Sequence, residues 1–294
     1  MIELSGTGVA IVTPFNKNKE VDYKSLGKLI DYIIEGGVQY IVTLGTTGET
    51  PVLSKEEKID IITFTFEHIN NRVPVMVGMA GNDTATLIND LQKYPIQKAA
   101  AILSAAPFYN KPSQEGLFQH YKLVAECTEK PIVLYNVPAR TGRNINVSTI
   151  LRLANEVENI VGIKEASGDM LQCMEILKNR PADFLVVSGD DALALPQMAC
   201  GMNGVISVAA NAFPAEFSTM IKHCLQQDYF SAKLMNDKLM QAYQIMFEEN
   251  NPAGVKAFLS EMDIIQNELR LPLVPLSKHL HDAVKVFLTD YNKN

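Results

Sequence analysis

Lys164 ends the short apolar run Ile160-Val161-Gly162-Ile163-Lys164, an unusual place for a cation. The run reads as a buried strand, so the amine loses hydration and its neutral form is favoured. A neutral amine can attack a ketone and form a Schiff base. The plainer alternative is a buried stem whose ammonium reaches solvent or pairs with Glu165 or Asp169. Taken alone, the segment favours this plainer reading, and the polar residues that end the other apolar runs must decide between the two.

Four more runs end in groups that could do chemistry. One leads into Gly45-Thr46-Thr47-Gly48-Glu49, one into Pro107-Phe108-Tyr109-Asn110, one into Tyr135-Asn136-Val137-Pro138-Ala139-Arg140, and one into Ser188-Gly189-Asp190-Asp191. Glycine-flanked threonines suit an anion, since small residues expose backbone N–H groups and the hydroxyls add donors. The string lacks the Lys-Ser/Thr ending of a phosphate loop and by itself reads as a turn. Tyr135 alone reads as a core aromatic. Arg140, behind a Pro-containing turn, is either a surface charge or a bidentate grip on a carboxylate. Each group singly favours the ordinary explanation. On successive strand ends they point together to an enzyme acting on a keto acid.

The elements that must hold these groups alternate. Eight runs rich in Val, Ile and Ala are separated by segments of helical period: Gly8 to Pro14, Tyr40 to Gly45, Val73 to Met79, Ala99 to Pro107, Pro131 to Pro138, Ile160 to Ala166, Phe184 to Asp191 and Gly204 to Asn211. Eight such units predict an α/β fold, a (βα)8 TIM barrel, whose active site lies at the carboxyl ends of its strands. A doubly wound sheet would need a Gly-rich turn after its first strand, and Val12-Thr13-Pro14-Phe15 is not one. Ser54 and Glu57 form a capping box, and Leu26, Leu29, Ile30, Ile33 and Ile34 make one apolar helical stripe. The strand signal stops near Asp228. Residues 1–227 are therefore read as a catalytic barrel, and 228–294 as a helical extension, broken at Asn251-Pro252, Leu271-Pro272 and Pro275, that packs on the barrel.

Composition removes several classes of function. The 294 residues are 47% hydrophobic and carry a net charge of −7, which supplies a large core and gives nucleic acid no basic surface. Met1 to Gly8 shows no export signal, and no apolar run is long enough for a membrane span, so a cytoplasmic protein is expected. Cys127, Cys173, Cys200 and Cys224 are far apart and fall in stretches read as helical, which argues against disulfides. The histidines offer no metal-binding spacing, so no metal is expected.

GTTGE from Gly45, PFYNKPSQEG from Pro107, YNVPARTG from Tyr135, GIKEASGD from Gly162, SGDD from Ser188 and GVISVAAN from Gly204 resemble the dihydrodipicolinate synthase family, in order and over nearly the whole chain. The wider group of class I pyruvate aldolases, which includes N-acetylneuraminate lyase, shares the lysine, the tyrosine and the Gly-Thr loop. The arginine before Thr141-Gly142 separates the synthases. The resemblance implies condensation of pyruvate with L-aspartate-4-semialdehyde in lysine and diaminopimelate synthesis, with no organic cofactor. It assigns the imine to Lys164 and proton transfer to Tyr135, supported by Thr46 and Tyr109, the last reaching into a partner's site. It gives Thr46 and Thr47 the pyruvate carboxylate, Arg140 the semialdehyde carboxylate, and the Gly189 and Ile206 backbone the pyruvate end. It also implies a homotetramer, a dimer of dimers. Two competitors remain: another pyruvate aldolase, such as N-acetylneuraminate lyase, and a barrel that binds a keto acid without turnover.

Overall fold

The computed structural model describes residues 4–291 and 293; Met1, Ile2 and Glu3, part of the N-terminal stretch discussed above, lie outside the described residues. Eight parallel strands close into a barrel in chain order. They are β1 (Gly6–Ala10), β2 (Tyr40–Thr43), β3 (Val75–Gly78), β4 (Ala101–Ala105), β5 (Ile132–Asn136), β6 (Ile160–Glu165), β7 (Leu185–Ser188) and β8 (Gly204–Ser207). Parallel strands are covered on both faces and so read as continuous apolar runs. Here Tyr40, Val42, Met76, Leu103, Val133 and Val187 fill the barrel interior, while Ile41, Val75, Val77, Ile102 and Leu134 belong to the layer beneath the helices.

One strand differs from its run. β1 begins two residues before Gly8, because Gly6 and Thr7 pair with Gly204 and Val205 and thereby close the barrel. Beyond Ile11, side chains replace the ladder. The Val12 N–H donates to Asn211 Oδ1 at 3.2 Å, and Thr13 Oγ1 donates to the Gly48 carbonyl at 2.7 Å.

Outside the barrel lie α1 (Tyr23–Glu35), α2 (Lys55–Ile69), α3 (Thr84–Lys93), α4 (Gln114–Glu126), a single turn α5 (Pro138–Thr141), α6 (Val147–Glu156), α7 (Met170–Asn179), α8 (Ala194–Ala199) and α9 (Pro214–Leu225). The α1 stripe is buried at Leu26, Leu29, Ile30 and Ile33, with Ile34 half-buried at its edge. Ser54 caps α2 in a reciprocal box, Glu57 N–H to Ser54 Oγ at 3.2 Å and Ser54 N–H to Glu57 Oε2 at 2.9 Å. All four cysteines are free. Cys173 and Cys224 lie inside α7 and α9, but Cys127 and Cys200 fall just past α4 and α8, where their N–H groups close the last turn.

Three further helices follow, α10 (Tyr229–Glu248), α11 (Ala253–Glu261) and α12 (Lys278–Tyr291), with cis peptide bonds at Asn251-Pro252 and Leu271-Pro272 between them. α10 packs along α9, and α11 is buried from Ala253 through Leu259. Phe258 of α11 meets Phe213, at the start of α9, and Phe287 of α12 edge-on at centroid distances of 5.6 and 5.7 Å. Among the described residues no helix is long and apolar enough to cross a membrane.

The Phe258 ring is fully buried at the junction of these helices. Truncating a buried aromatic removes its transfer energy and leaves a cavity, so Phe258→Ala should lose about 3–5 kcal/mol. Denaturant unfolding of the variant beside the wild type checks this; a loss below about 1 kcal/mol would mean that the extension contributes little to the fold.

Candidate active site

β6 sends successive side chains to opposite faces, which separates Lys164 from Glu165. Lys164 points into the barrel mouth and is 4% exposed. Glu165 points outward and is enclosed by donors: Asn136 Nδ2 and Gln172 Nε2 each reach Glu165 Oε2 at 3.0 Å, and the Ser167 N–H reaches Oε1 at 2.6 Å. Asp169 caps α7 by accepting from the Leu171 and Gln172 N–H groups. Both partners of the plainer reading are thus engaged elsewhere. Among the described residues Lys164 has no ion pair and no hydrogen bond from its amine. Its Nζ lies 4.4 Å from the centroid of the Tyr135 ring.

That contact depends on strand register. Ile132 of β5 pairs with Ile160, but Val133 pairs with Gly162, so Val161 is an extra residue in β6. The shift brings Tyr135 opposite Lys164 rather than Ile163. On the other side Val187 is opposite Lys164, and the Gly189 N–H donates to the Glu165 carbonyl at 2.8 Å. A Cβ built on Gly189 would lie 2.7 Å from Lys164 Cε and 2.7 Å from Ala166 Cβ. Only glycine leaves room there for the lysine stem.

Lys164, Tyr135, Thr46, Thr47, Arg140 and Gly189 line one cavity of about 470 Å³ at the carboxyl ends of the strands. Thr46 and Thr47 open a one-turn 3-10 helix, Thr46–Gly48, whose first N–H groups have no partner within the turn. Arg140 belongs to α5, and its Nη2 donates to Asn250 Oδ1 at 2.8 Å. Ile206 lies in the barrel interior, 1% exposed, and is not among the lining residues. Tyr109 stands apart: it is 89% exposed, has φ +71°, and does not line the cavity. Its loop is tied down next door, where Asn110 Nδ2 donates to the Asn82 carbonyl at 2.8 Å. Within one chain the hydroxyls of Tyr135, Thr46 and Tyr109 do not form a hydrogen-bonded relay.

The sequence reading did not single out the roof of this cavity. Met240, Tyr243, Gln244 and Phe247 of α10 line it, with Asn251. Asn251 Nδ2 donates to Thr47 Oγ1 at 2.9 Å, across 204 positions of sequence, while its Oδ1 is buried without a partner. The Tyr243 hydroxyl is likewise buried and unpartnered; burial, with the nearby Asp191 charge, raises its pKa far above the ordinary phenol range and keeps it protonated. Asp191 itself is a clip rather than a cavity group. It accepts from the Val208 and Ala209 N–H groups at 3.0 and 2.8 Å, and burial pushes its carboxyl up to about 6 against those bonds. Among the described residues no group of three or more His, Cys, Asp or Glu side chains could hold a metal ion.

A family model described as the dihydrodipicolinate synthetase family matches residues 3–291. The chain belongs to that family. It is 48% identical over 287 residues to 4-hydroxy-tetrahydrodipicolinate synthase of Parabacteroides distasonis, covering 98% of this chain and 97% of the relative. It is 49% identical over 275 residues to the synthase of Cytophaga hutchinsonii, covering 94% and 92%. Among solved structures, the synthase of Methylacidiphilum fumariolicum SolV superposes with a TM-score of 0.96 at 38% identity, covering 99% of this chain and 97% of that one. The chloride-inhibited dihydrodipicolinate synthase of Acinetobacter baumannii, complexed with pyruvate, gives 0.95 at 41% identity, covering 98% and 99%.

The Gly189 geometry yields a direct test. Gly189→Ala should fold with an unchanged far-UV spectrum but push the Lys164 stem aside, lowering kcat by at least about tenfold, as expected for a reacting group displaced by about 1 Å. Near-wild-type turnover would mean that the lysine position is not set by this contact.

Proposed function

We propose that this chain condenses pyruvate with L-aspartate-4-semialdehyde to 4-hydroxy-tetrahydrodipicolinate, with Lys164 as the Schiff-base residue. The observation that carries the reading is the unpaired Lys164 amine beside the Tyr135 ring, in a cavity that also holds Arg140 and the Thr46-Thr47 turn. The Lys164 amine adds to the pyruvate ketone, and loss of water leaves an imine. Loss of a methyl proton converts the imine to an enamine, whose terminal carbon attacks the semialdehyde carbonyl and leaves a hydroxyl. The substrate's own amine then displaces Lys164 at the former ketone carbon, which closes the ring and frees the lysine. No organic cofactor is required, because the protonated imine is the electron sink.

Each remaining group has a role that its position supports. Tyr135, level with Lys164 on the adjacent strand, is the proton donor and acceptor. Thr46 and Thr47 take the pyruvate carboxylate. Arg140, which lines the cavity and is steadied by Asn250, takes the carboxylate of the semialdehyde. The Gly189 N–H is already bonded, so its carbonyl is the group that would face pyruvate; the Ile206 backbone would lie beneath. Tyr109, exposed on a backbone conformation unusual for a non-glycine residue, completes the relay in a second copy of the chain, within a homotetramer built as a dimer of dimers. The barrel, 1–227, carries the reacting groups and 228–294 roofs them. We place the enzyme in the cytoplasm.

The pyruvate-bound relative supports the first substrate, and Arg140 favours the semialdehyde over a sugar-acid aldehyde as the second. A barrel that only bound a keto acid would have no use for an unpaired amine placed against a phenol.

Borohydride added with pyruvate should trap a covalent adduct on Lys164, found by intact-mass and peptide analysis, and Lys164→Ala should abolish both adduct and turnover. An adduct on another lysine, or a Lys164→Ala enzyme of near-wild-type rate, would refute the mechanism. For the second substrate, a charge-assisted bidentate contact is worth about 1.5–3 kcal/mol. Arg140→Ala should therefore lower kcat/KM for the semialdehyde by one to two orders of magnitude while leaving the borohydride-trapped pyruvate adduct intact. An unchanged semialdehyde response would remove Arg140 from the site.

A further inference from the structure

One buried ion pair has no part in the chemistry above. Glu49, the last residue of the GTTGE loop, and Lys256 of α11 both have fully buried side chains, and Lys256 Nζ bonds Glu49 Oε1. The other Glu49 oxygen accepts from the Arg270 N–H at 3.1 Å, and Lys256 also donates to the Glu268 carbonyl at 2.9 Å. Lys256 Nζ and the Arg270 guanidinium lie 4.3 and 4.5 Å from the centroid of the Phe15 ring. Arg270 in turn donates to Glu57 Oε2 at 2.7 Å and to the Val52 carbonyl at 3.0 Å. The loop after β2, the helix α11 and the segment around Arg270 are fastened together at this point.

Burying two ions is costly, and apolar side chains of the same volume would often stabilise as well. Both side chains are fully buried, and that burial pushes the Lys256 ammonium down to about 8 against the attraction of Glu49. Such a pair is better explained by what it fixes. Glu49 has φ +53°, a left-handed conformation that a side chain disfavours, and it directly follows the turn Thr46–Gly48. With its carboxylate held at both oxygens, the exit of that turn has one geometry.

We propose that Glu49 and Lys256 are positioning residues, which clamp the Thr46-Thr47 turn in the shape that receives the keto-acid carboxylate. This rests on the assignment of that carboxylate to the turn. Arg140 sits on a different strand end, so the clamp should act on one substrate and not the other.

Two variants test it. Glu49→Gln combined with Lys256→Met removes both charges while leaving one oxygen for the Arg270 N–H; Glu49→Asp keeps the charge but shortens its reach. The double variant should fold, raise KM for pyruvate at least about tenfold, and change KM for the semialdehyde less than about twofold. Glu49→Asp should show a smaller rise in the same direction. A pyruvate KM within twofold of wild type, equal rises for both substrates, or failure of both variants to fold would each overturn the clamp, the last by making the pair a stability element only. The wild type is the control: absence of a pyruvate adduct under borohydride there would fail the reading of the site, whereas an adduct with normal pyruvate KM in the variants would fail the clamp alone.

Discussion

The structure depends on keeping one amine in the barrel mouth without an ionic partner. A buried lysine normally finds a carboxylate, and two stand close in sequence, Glu165 and Asp169. Strand alternation turns the first outward into a cage of Asn136, Gln172 and the Ser167 N–H, and helix capping occupies the second. The extra residue Val161 sets the register that brings Tyr135 level with the lysine, and Gly189 leaves space for its stem. A slip of one residue in β6 would put Glu165 inside and Lys164 among the helices, so register and chemistry are the same constraint.

The cavity groups proposed to react lie at the barrel's strand ends, and a seven-residue stretch of the C-terminal segment, 250–256, touches two of them and the residue that follows the threonine turn. Asn250 holds Arg140, Asn251 holds Thr47, and Lys256 holds Glu49. These three contacts reach the arginine and the middle and exit of the threonine turn, while α10 closes the cavity above them with Met240, Tyr243 and Phe247. Phe258, between Asn251 and α12 in the chain, anchors the stretch in an aromatic cluster with Phe213 and Phe287. The extension is therefore coupled to the site through two buried contacts, Asn251 to Thr47 and Lys256 to Glu49, and one exposed contact, Asn250 to Arg140.

Much of this was legible in the sequence because parallel strands are covered on both faces and so stand out as apolar runs, and because a barrel gathers their carboxyl ends. Those two rules gather Lys164, Tyr135, Arg140 and the threonines at one end of the barrel, and the family resemblance assigns their roles. The roof could not, since contacts across more than 200 positions, such as Asn251 to Thr47, leave no local period or motif. Tyr109 shows a different limit. Its ring stands in solvent, 89% exposed, so no packing within one chain fixes it.

Lys256 is legible in the sequence by the rule that marks Lys164. It sits in Ala253-Gly254-Val255-Lys256-Ala257-Phe258-Leu259, a lone cation in an apolar run, the same anomaly as Lys164 in β6. The two differ in what lies opposite. Lys164 meets a phenol and an open cavity, so its amine has no ionic partner; Lys256 meets a carboxylate, a carbonyl and an aromatic face, so its amine is fully used. A buried lysine in a sequence thus poses one question with two outcomes, chemistry or positioning, and the side chains facing its tip decide which.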